Sequence, residues 1–104
     1  AVYILMNKII FYKILERSYG LVKLEPISTS SGKKYIQLLN NFFTKAAETV
    51  KGFKPVFFTG IYDVIPLPDD EYVLEEVNTF IEDMNNLRLQ ALWVLFIRQF
   101  KQSL

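Results

Sequence analysis

"VYILMNKIIFYKILERSYG", Val2 to Gly20, is the stretch on which the fold turns. On a helical wheel Ile4, Phe11 and Leu15 share one face while Leu5, Ile9 and Tyr12 cover another, so residues 2–18 have no single dry side. A helix lying on a protein surface shows one apolar stripe, and one that is apolar nearly all round must be surrounded by neighbours. The pattern therefore predicts a central helix, with Gly20 as its C-terminal cap. Asn7, Lys8 and Lys13 interrupt the run, leaving it short of the roughly 20 apolar residues of a membrane span. It also lacks the small-residue cleavage site of a signal peptide.

The neighbours that such a helix needs follow along the chain. "LVKLEPISTSSG", residues 21–32, contains Pro26 and a Ser/Thr cluster and reads as a loop ending at a helix cap near Ser30 or Ser31. A second helix is predicted from Lys33 to Lys51, with Tyr35, Leu39, Phe42, Ala46 and Val50 as its stripe, Ile36 and Phe43 widening it, and Gly52 ending it. Between Pro55 and Pro68 three prolines remove backbone donors and push their predecessors out of helical angles. Phe57, Phe58, Ile61, Tyr62, Val64, Ile65 and Leu67 are expected to anchor this connection as a further layer of core. Asp69 then caps a third helix whose dry stripe is Val73, Val77, Phe80, Ile81 and Met84, with Glu75, Glu76, Asn78, Glu82 and Asp83 on its wet face. After Asn86, "LRLQALWVLFIRQF" gives a fourth, in which Leu89, Leu92, Trp93, Phe96 and Phe100 share a side and Val94, Leu95 and Ile97 are left over. Alternation of the strand type is limited to Val56–Thr59. The expected fold is all-α: a compact bundle of four helices with a long proline- and aromatic-rich connection between the second and third.

The chain has 104 residues, one domain's worth, and a domain of that size buries roughly 60 to 70% of its unfolded surface. With 51% apolar residues it has the material for that core. Zero Cys and zero His remove disulfides, thiolate nucleophiles, imidazole bases and the usual zinc ligands, and a cytoplasmic setting is the expectation. The opening Ala1-Val2-Tyr3 reads as mid-helix, as in a piece of a longer protein. Charge is uneven: residues 1–54 carry nine Lys or Arg against three acids, +6, and residues 55–104 three against eight, −5. Either the two halves attract within one fold, or the basic half faces nucleic acid.

Candidate chemistry is sparse. Gly20, Gly32, Gly52 and Gly60 stand apart, which excludes a glycine-rich phosphate loop. Asp69, Asp70, Glu71, Glu75 and Glu76 lack the ligand spacing of a calcium loop and suit a helix start, where acids favour the dipole. Asp63 beside Tyr62 reads as an Asp bonding nearby turn amides. No catalytic, cofactor-binding or metal-binding residue is assigned. Lys8, Lys13, Arg17, Lys33, Lys34, Lys45, Lys51 and Lys54 are the candidate contacts to a phosphate backbone, against the plainer reading of a scattered solvated surface. Trp93, Val94, Leu95 and Ile97 are the candidate interface, since a terminal helix with two apolar sides is either deeply buried or awaiting a neighbour.

Two stretches carry a family resemblance. "NKIIFYKILERSYGL", Asn7 to Leu21, resembles a helix ahead of the catalytic domain in adenine-specific DNA methyltransferases of restriction–modification systems, and "GIYDVIPLPDDEYVLEEVNTFIEDMNN", Gly60 to Asn86, resembles the connection and acidic helix that follow. The family's cofactor loop and Asn-Pro-Pro-Tyr tetrapeptide lie further along the chain and do not occur here, and "LQALWVLFIRQF" departs from its pattern. The resemblance implies a non-catalytic helical domain that packs on the catalytic domain of its parent chain or on another subunit and guides duplex DNA, S-adenosylmethionine belonging to the parent. The other reading is a helical interaction or homodimerisation module without nucleic acid or membrane, motivated by the helix around Trp93.

Overall fold

A computed structural model describes residues 2–50 and 67–103, with side chains over 5–50 and 67–98. Among the described residues the architecture is all-helical, with α1 over Val2–Tyr19, α2 over Gly32–Thr49, α3 over Glu71–Asn85 and α4 over Leu89–Ser103, and no strand. The expected aromatic anchors from Phe57 to Ile65 lie outside the described residues, as do Lys51 and Gly52 at the expected end of the second helix. Leu67, the last of those anchors, is described and packs against the core.

The first helix occupies the centre, as its all-round apolarity requires. Ile9, Ile10, Phe11, Tyr12, Ile14 and Leu15 are all buried, and α1 packs against each of the other three helices, most extensively α4. Phe11 stacks on Phe96 of α4 with ring centroids 4.9 Å apart, while Tyr12 meets Phe42 of α2 edge-on at 5.7 Å. Gly20 ends the helix at φ +66°, a left-handed conformation that only glycine enters without cost, and the Leu21 amide then reaches back to the Glu16 carbonyl at 3.2 Å. The loop after it is pinned by Leu24 and Ile27, both buried in the core.

Caps define α2 and α3. Ser31 caps α2, its side chain accepting from the Lys34 amide, and Val50 closes it. Tyr35, Leu39, Phe43, Ala46 and Val50 are buried, with Ile36 and Phe42 half-buried beside them. Asp70 caps α3, accepting from the Tyr72 amide at 2.9 Å, in place of the expected Asp69. Asp69 instead accepts from the Gly32 amide at 2.7 Å, tying the start of α2 to the approach to α3. The inner side of α3 is Leu74, Ile81 and Met84, while Val73, Val77 and Phe80 are half-buried towards α1. Asn78, expected on the wet face, is a second tie: its amide accepts from the Ile27 amide at 2.8 Å and from the Tyr35 hydroxyl, and donates to the Ile27 carbonyl at 2.7 Å. Its three bonds hold the loop, α2 and α3 together.

Candidate functional site

Of the eight cations expected on a nucleic-acid face, the six among the described residues divide into three groups. Lys13 is fully buried, because the middle of α1 is surrounded. Its ammonium donates to Glu16 Oε2 at 2.9 Å, to the Leu24 carbonyl at 2.5 Å and to Asn85 Oδ1, and Glu16 Oε2 also accepts from the Leu24 amide at 2.8 Å. Desolvation holds this ammonium below the usual lysine range, with Glu16 opposing the shift. Lys8, one and a half turns earlier, is also buried, with Nζ 6.0 Å from the centroid of the Phe43 ring, and burial pushes it down to about 8. Neither lysine is presented to a phosphate backbone, a correction to the sequence expectation. The reason is position: apolar neighbours close around α1 on every side, and polar atoms that meet its cations arrive from distant parts of the chain.

Arg17 sits at the rim and is likewise engaged. Its guanidinium donates to the carbonyls of Met84 at 3.1 Å, Asn85 at 2.9 Å and Leu87, which lie together where α3 ends. The basic half thus meets the acidic half of the chain, at Lys13 and Arg17, through main-chain oxygens and an amide. Lys33, Lys34 and Lys45 are exposed on α2 and remain available to a ligand. Lys51 and Lys54 lie outside the described residues.

The candidate interface residues are partly brought together. Trp93, Val94 and Ile97 are 42, 52 and 50% exposed, and Leu89, at 37%, continues the same row. Leu95 differs from the expectation: with Phe96 it is half-buried and packs against the core beside the fully buried Leu92. The two apolar sides of α4 therefore have separate tasks, one facing α1 and one facing outward. The Trp93 indole stands edge-on to Phe96 at 6.2 Å, which links the outer row to the Phe11–Phe96 stack beneath it.

Clefts among the described residues mark the remaining surface. One of about 420 Å³ lies between residues 26–30 of the loop and the first turns of α3, with Glu71 and Glu75 on its wall. Another of about 330 Å³ lies between the end of α1 and α2, beside Phe42 and Lys45. The most apolar, about 260 Å³, runs between α1 and α3 over Ile9, Val77 and Phe80. Among the described residues no group of three acids is placed to hold a metal ion, and no helix is long and apolar enough to cross a membrane. Comparison with protein-family models, with curated proteins and with solved structures finds no match to this chain.

Proposed function

We propose that this chain is a non-catalytic helical docking domain that binds another protein surface through the outer row of α4. The observation that supports the reading is the row itself: Leu89, Trp93, Val94 and Ile97 stand exposed on a helix whose opposite side is already in the core. Moving each such side chain from half-exposed to buried contributes on the order of 1 kcal/mol, and an aromatic anchor among aliphatic neighbours is a common centre of binding energy. The family resemblance extends the reading. In it the parent is a SAM-dependent adenine-specific DNA methyltransferase, α4 docks on its catalytic domain or on another subunit, and S-adenosylmethionine stays with that catalytic domain. Duplex DNA is a lesser part of the proposal, carried by Lys33, Lys34 and Lys45 alone among the described candidates.

Trp93 is the one tryptophan of the chain, so its fluorescence reports on this face directly. The expected result is a solvent-exposed emission at high dilution that shifts to the blue as a partner or a further copy binds. A strictly monomeric chain whose emission is already fully blue-shifted would remove the docking reading. The methyltransferase setting has its own test: an Asn-Pro-Pro-Tyr block downstream of Leu104 in the gene supports it, and a stop codon there removes it. Salt-dependent retardation of duplex DNA, lost on changing Lys33, Lys34 and Lys45 together to Gln, is the expected result for the DNA part.

A further inference from the structure

We infer that the surface which receives α4 is the groove between α1 and α3 of a second copy of this chain, so that copies join head to tail. The inference rests on the docking reading of α4 and supplies its partner. The floor of the groove is apolar, formed by Met6 and Ile9 from α1 and by Val73, Val77 and Phe80 from α3. Val73, Val77 and Phe80 follow one another at helical spacing, which leaves a trough about two turns long, the form in which grooves accept amphipathic helices.

Charge selects the occupant. Glu76 and Asp83 stand along the groove, both exposed, and α3 carries five acids without a single base. The α4 segment is the reverse, with Arg98 and Lys101 and no acid. On α4 the exposed Arg98 lies one turn beyond Val94 and next to Ile97, so the row that offers apolar side chains also offers a cation at its edge. Ridge and groove therefore match in polarity and oppose in charge, the arrangement that gives an interface its specificity. Packing α4 on α4 of a second copy would set two helices without acids face to face, and like charges oppose that. A contact between two different patches leaves a ridge open at one end and a groove open at the other. Association then continues past a dimer, unless the rotation between copies closes a ring.

Sedimentation velocity on the 104-residue chain tests this. The wild type is expected to grow in mass with concentration beyond the dimer. A ridge variant, Val94→Glu with Ile97→Glu, and a groove variant, Glu76→Lys with Asp83→Lys, are each expected to be monomeric with wild-type helicity by circular dichroism. An equimolar mixture of the two is expected to form a 1:1 dimer and stop, because one intact ridge meets one intact groove. Should either double variant lose helicity, Ile97→Glu and Glu76→Lys run the same mixing experiment as single changes. A groove variant that associates as the wild type does would overturn the inference and leave α4 as the docking face. A wild type that stays monomeric at millimolar concentration also overturns the inference, and the docking reading then stands or falls on Trp93 emission. If the ridge variant associates undiminished, the inference fails as well, and the docking reading again stands or falls on Trp93 emission.

Discussion

Asp69 Oδ1 accepts from the Gly32 amide at 2.7 Å, and at that contact the backbone of Leu67 and Pro68 lies against the first residue of α2. A Cβ added at Gly32 would meet the Leu67 carbonyl oxygen at 1.9 Å and the Pro68 carbonyl oxygen at 2.6 Å, so the neighbouring strand of chain would have to move. Propensity alone favours alanine over glycine in a helix. Here the clash decides. Gly32→Ala is expected to destabilise by about 1–3 kcal/mol, as overpacking does, and chemical denaturation measures it. An unchanged or raised midpoint would mean that the Leu67–Pro68 backbone does not pass this close.

Asn78 supplies the second tie, and its three hydrogen bonds go to Ile27 and Tyr35, on two other parts of the fold. Asn78→Leu keeps the volume but leaves the Ile27 amide and carbonyl and the Tyr35 hydroxyl without this partner. The expected loss is about 2–3 kcal/mol, the cost of stranding partly buried polar groups. Hydrogen exchange at the Ile27 amide should rise in step. Loss of stability with Ile27 exchange unaltered would argue for a packing defect elsewhere on α3.

Among the described residues, four groups on α1 and α2 carry a pH dependence of stability. Burial holds the Lys8 ammonium down at about 8 and lowers Lys13 as well, against an ordinary value of 10.5. Between about pH 8 and 10.5 the unfolded chain therefore binds more protons at Lys8 than the folded one, Lys13 acts in the same direction below 10.5, and stability rises with pH through that window. Tyr12 behaves oppositely: burial raises it from 10.0 to about 12, with Glu16 adding to the shift, and burial also raises Tyr35. Above pH 10 the unfolded chain releases those protons first, and stability falls. Denaturant midpoints should therefore climb from pH 8 to a maximum near 10 and decline beyond it, with a smaller climb in Lys8→Met. A steady fall from pH 8 to 10 would contradict the burial of both lysines.

These features differ in how far the sequence shows them, and distance along the chain is the reason. The central place of α1 is legible because apolar residues at every angle of the wheel admit one solution, and Ser31 is legible as a cap because capping needs only the next three residues. Lys13 is not, since its partners at Leu24 and Asn85 are 11 and 72 positions away and a lysine reads as surface until they are placed. Asp69 and Asp70 are equally good caps side by side. Which one serves α3 depends on where the start of α2 comes to rest. Asn78 keeps company with Glu75 and Glu82 on paper, and only the arrival of Ile27, 51 residues earlier, draws it inward. Of the candidate site, the apolar excess of α4 is legible, but its division into an inner and an outer row depends on the angle at which the helix meets α1.

That division can be read from two adjacent residues. Phe96 stacks on Phe11 at 4.9 Å and belongs to the inner row, while Ile97 is half-exposed in the outer one. Phe96→Ala removes a ring from between two helices and is expected to cost about 3 kcal/mol through lost transfer energy and the cavity left behind. Ile97→Ala gives up contacts mostly with solvent, so its effect on folding should stay within about 0.5 kcal/mol. Head-to-tail joining of copies requires the reverse order in association, where Ile97→Ala weakens self-assembly at unchanged helicity. Equal folding losses at the two positions would mean that α4 is rotated from the orientation described. An Ile97→Ala chain that associates as well as the wild type would mean that the outer row is not the contact.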